Sequence, residues 1–412
     1  MLRIKRLTFA LFFLMMVVLA VASLLDNLTG IQGSSESVYH SVPFAAMWGM
    51  LVVLALIYIC CRKLWRVPAT LMIHVALAVI LAGALITHIW GEDGRMHLRE
   101  NECSDVFVQQ DGLVKHLPFA VQLNHFEVEY YPASSAPKDY VSQLVFREKG
   151  SEEPVTISMN NIATLRHYRF YQSGFDDDLH GSIMMVTRDP WGIGITYTGY
   201  LMLLLGMLLF WLQPNSQYRI TFRLWQKDRQ ASASRFLRWL PYIIFLVVLI
   251  IVAVIMILRW SSAPLMPVLR SPLFPLHVSV IMISYILLAF VMVNGFRAML
   301  LTRNKTEHKV KALRLMRSSQ LMLVPALFLL IAGIFIGAVW ANVSWGRYWG
   351  WDSKEVWALI TMMFYSLPLH QQSLRWFAQP RHFHSYCAFA FLIVLMTYFG
   401  VNYFLSGLHS YA

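Results

Sequence analysis

Leu321-Met-Leu-Val-Pro-Ala-Leu-Phe-Leu-Leu-Ile-Ala-Gly-Ile-Phe-Ile-Gly-Ala-Val-Trp340, with Trp345-Gly-Arg-Tyr-Trp-Gly-Trp-Asp352 close behind it, fixes the architecture of this chain. The first part carries no charge and is long enough to cross a bilayer as a helix. The second part, with Ser353-Lys-Glu-Val-Trp357 directly after it, places four tryptophans in thirteen residues among Gly, Arg, Asp, Lys and Glu. It is too polar for a lipid-facing span and too rich in planar apolar surface for an ordinary loop. Indole faces beside a few fixed polar groups suit a large, flat, mostly apolar ligand. An interfacial aromatic belt, common where helices leave a bilayer, is the competing reading.

Composition supports a polytopic membrane protein. Of 412 residues, 58% are hydrophobic and 14% charged, and the mean hydropathy is +0.54. The net charge of +12 is unevenly spread. Gly91 to Pro190 holds 9 Lys/Arg against 16 Asp/Glu, whereas the remainder holds 25 against 6. An acidic block in an otherwise basic membrane protein implies an extracytoplasmic insert, with the basic residues in cytoplasmic loops. The basicity thus reports topology and argues against a nucleic-acid partner. Cys60, Cys61, Cys103 and Cys387 form no C-x-x-C pair, so thiol chemistry here is expected to rely on other thiols.

The predicted class is an all-α polytopic protein of about nine transmembrane helices, with a small β-rich extracytoplasmic domain between helices three and four. Basic Met1–Arg6 precedes an apolar run, Leu7–Leu25, in which Ala20-Val-Ala-Ser23 resembles a signal-peptidase site. Further spans are read at about Val42–Cys61, Ala69–Trp90, Trp191–Leu212, Leu240–Leu258, Leu276–Phe296, Leu321–Trp340, Val356–Leu369 and Tyr386–Leu405. Loops rich in Lys and Arg (Arg62–Arg66, Arg219–Arg238, Arg297–Arg317) alternate with poorly basic ones, and one orientation satisfies them all. It puts the Trp-rich stretch outside. In the insert, Phe119–Tyr131 and Tyr140–Phe146 alternate apolar and polar residues and predict strands joined through Pro132–Pro137. Four regions follow: helices one to three over 1–90, the insert over 91–190, helix four and a basic loop over 191–239, and the aromatic-signature region over 240–412.

Most of the fourteen histidines have ordinary readings. His97, His116, His125, His167 and His180 fall in the insert. His308, His382 and His384 fall in basic inner loops and read as solvated, and His40 and His88 lie near outer membrane boundaries. Four others stand apart. His277 opens span six on the outer side and His409 follows span nine on the same side, so span parity sets both at the face of the Trp-rich stretch. Two neutral imidazoles beside an aromatic shelf make an axial-ligand arrangement for haem iron. His74, inside span three, and His370, closing span eight, share the inner face. An ionisable side chain within an apolar span is a functional candidate by default.

Trp345-Gly-Arg-Tyr-Trp-Gly-Trp-Asp352 resembles the WG-x-x-W-x-W-D signature of the haem-handling superfamily that includes the CcmC, CcmF and CcsA families. Ser353–Trp357 and the tail Tyr398–Tyr411 resemble the CcsA branch. His74-Val-Ala-Leu, Phe119–Tyr140, Arg169-Phe-Tyr-Gln-Ser173 and Asp189-Pro-Trp-Gly192 resemble the ResB/CcsB family. Nearly the full length is thus similar to a fused CcsB–CcsA cytochrome c synthase of the System II type, with a short extracytoplasmic insert. The resemblance implies external haem ligands at His277 and His409, and a transmembrane pair at His74 and His370. It implies a haem cradle at Trp345, Gly346, Trp349, Trp351 and Asp352. It further implies haem b as substrate, an apocytochrome c bearing C-x-x-C-H as partner, and a lyase reaction adding two cysteine thiols across the haem vinyl groups. A bacterial inner-membrane location, surrounding lipid and a thiol-reducing partner protein belong to the same expectation. Asp352 and Arg347 are expected either to meet propionates or to order the loop. A CcmC-like haem transporter without lyase activity is the alternative.

Overall fold

The computed structural model describes residues 2–29, 34–109, 111–230, 266–301 and 306–405. Helices α1 (Leu2–Thr29), α2 (Ser34–Tyr39), α3 (Val42–Cys61) and α4 (Pro68–Trp90) come first. Eight strands follow: β1 (Glu92–Arg99), β2 (Cys103–Val108), β3 (Val114–Tyr130), β4 (Pro137–Glu148), β5 (Ser151–Ile157), β6 (Ala163–Leu165), β7 (Tyr168–Phe175) and β8 (Gly181–Arg188). Then come α5 (Gly192–Leu212), α6 (Gln217–Gln230), α7 (Leu273–Leu301), α8 (Thr306–Trp345), α9 (Ser353–Ser366) and α10 (Pro380–Leu395). A π turn, Met396–Gly400, extends α10.

Among the described residues seven stretches are long and apolar enough to cross a membrane: α1, α3, α4, α5 running on into α6, α7, α8, and α10 with its extension. The chain is therefore a helical membrane protein. Large apolar side chains such as Phe13, Val53, Leu201, Leu208 and Leu212 point outward, as a lipid solvent permits and water does not. The fifth expected span, Leu240–Leu258, lies outside the described residues. The eighth, expected over Val356–Leu369, is the 14-residue α9 closed by a 3-10 turn at Leu367–His370, shorter than the ~20 residues of a full span. It is sheltered by protein: Val356, Ile360, Met363 and Leu367 pack on Met15, Met16, Leu19 and Ala22 of α1.

Helices α4 and α5 meet along an antiparallel seam with a period of seven. Opposite Ile73, Ile80 and Thr87 of α4 stand Gly206, Gly199 and Gly192 of α5. A Cβ added at Gly199 would lie 2.6 Å from Ile80 Cγ1, and one at Gly206 3.0 Å from Ile73 Cγ1. Where lipid removes the hydrophobic drive for association, small residues let helices approach closely enough to pack.

The insert is one antiparallel eight-stranded sheet in the order β5-β4-β3-β2-β1-β8-β7-β6. The two strands read from the sequence are β3 and β4, paired as a hairpin. Alternate residues Leu117, Phe119, Val121 and Leu123 fill its core with Phe107, Phe146 and Phe170. The sheet curls until Ser142 of β4 reaches Gln172 of β7 at 2.7 Å and Ser182 of β8 at 2.8 Å. Ion pairs gather where β1 ends. Glu100 binds His125 at 2.7 Å and His180 at 3.0 Å, and His97 and Arg99 both meet Asp176.

One histidine assignment is corrected. His384, expected in a solvated loop, is buried, and its Nε2–H donates to the Ala312 carbonyl at 3.0 Å. The cause is an early helix start: α10 begins at Pro380, so His384 falls in its second turn, against α7 and α8.

Candidate functional site

His74 and His370 come from different halves of the chain, and at the bundle end away from the β-domain they meet with ring centroids 5.9 Å apart and planes at 87°. Each donates its Nδ1–H to the carbonyl one turn earlier, His74 to Thr70 at 2.8 Å and His370 to Ser366 at 2.9 Å. A backbone bond to Nδ1 fixes the neutral tautomer whose lone pair lies on Nε2, the usual preparation of a metal-ligating imidazole. Two imidazoles sharing one metal ion at ~2.0–2.1 Å each place their centroids about 6 Å apart, which the pair matches. Phe9 of α1 stands edge-on to His370.

His277 lies one turn into α7, at the end that carries the β-domain. Its Nδ1–H donates to the Gly333 carbonyl of α8 at 2.7 Å, giving the same tautomer. The ring lies over Gly337, where a Cβ would come within 2.6 Å of Cε1 and 2.7 Å of Nδ1. Bare backbone at Gly337 is thus a condition for the imidazole's position. Beside it stands Trp340, its ring 6.3 Å from His277 and 5.0 Å from Trp345, with Phe274 at 5.2 Å. His409 lies outside the described residues.

The chain after Trp345 makes two sharp turns. Gly346 takes φ +81, and Trp351 takes φ 55, a left-handed conformation that costs a bulky residue about 1–3 kcal/mol. Packing offsets that strain. The Trp351 ring stacks on Tyr39 at 4.9 Å and meets Phe44 and Trp349 edge-on at 5.1 and 5.7 Å. Helix α9 then starts from a capping box. Asp352 accepts from the Lys354 N–H at 2.9 Å, and Glu355 accepts from the Gly350 and Asp352 N–H groups at 2.8 and 3.3 Å. Asp352 thereby caps α9 and orders the end of the loop. Lys354 beside it has its pKa lowered by burial, against the opposing pull of Asp352. The Arg347 guanidinium runs over Gly350, whose added Cβ would lie 3.3 Å from Arg347 Nε.

The β-domain clamps this loop. Gly346 lies against the Tyr171 ring and Thr187 of β7 and β8, so that a Cβ would fall 2.7 Å from Tyr171 Cε2. Ser344 donates to Asn160 at 3.1 Å, and Arg169 donates to Asn342 at 3.3 Å. Thr87 donates to Asp189 at 2.6 Å and accepts from the Tyr348 hydroxyl at 2.9 Å. Asp189 also takes the Gly192 N–H at 2.7 Å. The Arg169–Ser173 and Asp189–Gly192 segments of the first half thus support the tryptophan loop of the second.

The signature residues fall into two clusters, Trp345 with Trp340 and His277, and Trp349 and Trp351 with Tyr39 and Phe44. Among the described residues the indole N–H groups of Trp48, Trp349 and Trp357 are buried without an acceptor. An unsatisfied buried donor costs about 1–3 kcal/mol. Donors of this kind, flat apolar faces and an imidazole prepared at Nε2 fit a macrocycle with an iron centre and acidic edge groups. Trp340, Tyr39, Tyr348 and Glu355 escaped the sequence reading. The Asp352-Ser-Lys-Glu355 capping box was legible there; the rest depend on tertiary contacts.

Residues 201–409 match the family described as Cytochrome C assembly protein, and residues 61–229 the ResB-like family. The chain is 42% identical over 159 residues to Protein NrfI of Wolinella succinogenes, covering 36% of this chain and 17% of that protein. It is 34% identical over 179 residues to the cytochrome c biogenesis protein CcsA of Prochlorococcus marinus, covering 37% of this chain and 57% of that one. A CcsA of Synechococcus sp. gives 34% over 180 residues, 37% of this chain and 59% of that one. The chain thus spans less than two thirds of these relatives. With one match covering its second half and the other the region before it, the chain belongs to the cytochrome C assembly protein family, in the fused arrangement that joins a ResB/CcsB-like half to a CcsA-like half.

Proposed function

We propose that this protein takes haem b at the His74/His370 pair, presents it on the opposite side of a bacterial inner membrane against His277, His409 and the tryptophan loop, and joins it there to an apocytochrome c. The observation that carries the reading is His277: its Nδ1–H is held by Gly333, its ring lies on bare backbone at Gly337, and Trp340 and Trp345 stand beside it. Loop charge supports a periplasmic position for the loop and the β-domain, and nine spans in all.

Haem is the substrate. Each cysteine of C-x-x-C-H adds across one vinyl group: a carbon–sulfur bond forms to one vinyl carbon, and the thiol proton ends on the other. The addition is redox-neutral, so its requirement is a reduced thiol, which a thiol-reducing partner protein would maintain. The chain's own part is to orient the ring, exclude water with indole faces and hold the iron by imidazole, all of which convert binding into positioning. The substrate's histidine then replaces one protein imidazole, which provides a route to release. Arg347 and Lys354, at the loop, supply positive charge for propionates.

Co-expression with a C-x-x-C-H apocytochrome in a host lacking its own maturation system tests the reading. Covalent haem on the reporter supports a synthase. Haem bound to this protein with none attached to the reporter would leave it a transporter of the CcmC kind, and no bound haem would reduce the loop to an aromatic belt.

A further inference from the structure

Helix α4 carries two histidines, His74 near one end and His88 in its last turn at the other. His88 faces His40, in the turn between α2 and α3, with ring centroids 5.9 Å apart and planes at 35°. That is the separation found in the His74–His370 pair, and it falls at the span of about 6 Å for two imidazoles sharing one ion. Both rings are exposed at the end of the bundle that carries the β-domain. From the geometry we infer that His40 and His88 form a further bis-imidazole site, which takes the iron of haem in passage between the inner pair and the tryptophan loop; the choice of haem rests on the function proposed above.

Three features connect this pair to both sites. The first is helical phase. His74 and His88 are fourteen residues apart, about 21 Å along the axis and within about 40° of the same face. Leu77, Ala78, Leu81 and Leu85 lie between them on that face, an all-apolar stripe. The stripe runs beside the glycine seam, since His74, Leu81 and His88 each follow one of the α5-facing residues Ile73, Ile80 and Thr87. The second is adjacency to the outer loop. His40 follows Tyr39, whose ring stacks on Trp351 and whose hydroxyl donates to the Leu19 carbonyl at 3.2 Å, and His88 follows Thr87, which binds Tyr348. The third is the rim. Val42, Ile89 and Trp90, next to the two histidines in sequence, are exposed; they suit an apolar ring lying at the membrane boundary. Two side-chain ligands are also the number an iron needs when a macrocycle supplies the other four, whereas a bare structural zinc ion is held by four protein ligands.

The test uses the full-length chain in detergent. In the His74→Ala/His277→Ala variant, purified free of haem, added ferric haem is expected to bind at one equivalent with a low-spin bis-imidazole spectrum. Adding His40→Ala or His88→Ala should remove that equivalent, and millimolar imidazole should restore the spectrum. In the otherwise unaltered chain, His88→Met should create a histidine–methionine spectrum and a raised reduction potential. This second variant carries the test should the multiple variant fail to fold. Unchanged haem binding and spectra in the His40 and His88 variants would overturn the assignment while leaving the proposed function standing. Zinc or copper binding that depends on His40 and His88, with haem binding indifferent to them, would also overturn it, in favour of a bare-ion site. No haem on the unmodified chain would overturn both proposals.

Discussion

Gly337→Ala isolates the positioning of His277 from the stability of the fold. In an exposed helix interior, alanine for glycine stabilises by about 0.5–1 kcal/mol, so nothing in the backbone of α8 opposes the change. The side chain does. Its Cβ would stand 2.6 Å from His277 Cε1 and 2.7 Å from Nδ1, where ordinary contact is 3.4–4 Å. The imidazole must therefore retreat by ~1 Å, a displacement of the order that costs a hundredfold where reacting groups must be aligned. Retreat also breaks the 2.7 Å bond to Gly333, a loss of about 0.5–1.5 kcal/mol. The control lies in α3, where a Cβ added at Gly49 meets nothing within 4 Å. Thermal stability, Soret spectrum and maturation of a C-x-x-C-H reporter are measured on both variants. Gly337→Ala should keep the wild-type melting temperature, lose the outer-site spectrum and cut maturation by ten- to a hundredfold, whereas Gly49→Ala stays near wild type. A wild-type spectrum in Gly337→Ala would refute the claim that the imidazole needs bare backbone.

Other consequences follow from the same contacts. In the tryptophan signature, Gly346→Ala should be far more damaging than Gly350→Ala. The former forces a Cβ into φ +81 against the Tyr171 ring, and the latter meets only the flexible Arg347 at 3.3 Å; limited proteolysis of the loop reads the difference, and equal sensitivity would contradict the clamp. Asp189→Asn, which weakens the hold on Thr87 and Gly192, should lower outer-site haem retention without altering the spectrum of the inner pair. The Phe126 N–H, His180 and His125 hold the Glu100 carboxyl down from its ordinary 4.5 to about 2. Because the folded pKa is the lower one, its stabilisation is complete above about 4.5 and lost as pH falls through about 2. Hydrogen exchange on β1 and β8 should therefore separate Glu100→Gln from the wild type at neutral pH and bring them together toward pH 2; a pH-independent gap would contradict this.

Much of the architecture is legible in the sequence because a bilayer imposes simple rules. Apolar runs of sufficient length announce helices without any tertiary information. The β3–β4 hairpin is legible for a similar reason, since one buried face enforces strict alternation. The eighth expected span corresponds to α9 with its 3-10 turn, which runs from Asp352 beside the tryptophan loop to His370 beside His74 and packs on α1. His384 misled because basic neighbours marked a loop while the helix had already begun at Pro380. At the site, residue types pointed to His74, His370 and His277, yet their tautomers depend on the Thr70, Ser366 and Gly333 carbonyls. Tyr39 and Tyr348 carry no sequence signal, because each acts across more than a hundred residues, on Trp351 and on Thr87.

The central claim, that His277 ligates haem iron beside the tryptophan loop, is met most directly by the absorption spectrum of purified full-length His277→Ala, recorded with and without added imidazole alongside haem attachment to a co-expressed C-x-x-C-H reporter. Axial ligation predicts loss of the outer-site low-spin signal and of attachment, with both restored by imidazole. An unaltered spectrum with normal attachment, or a loss of both that imidazole cannot restore, would contradict it.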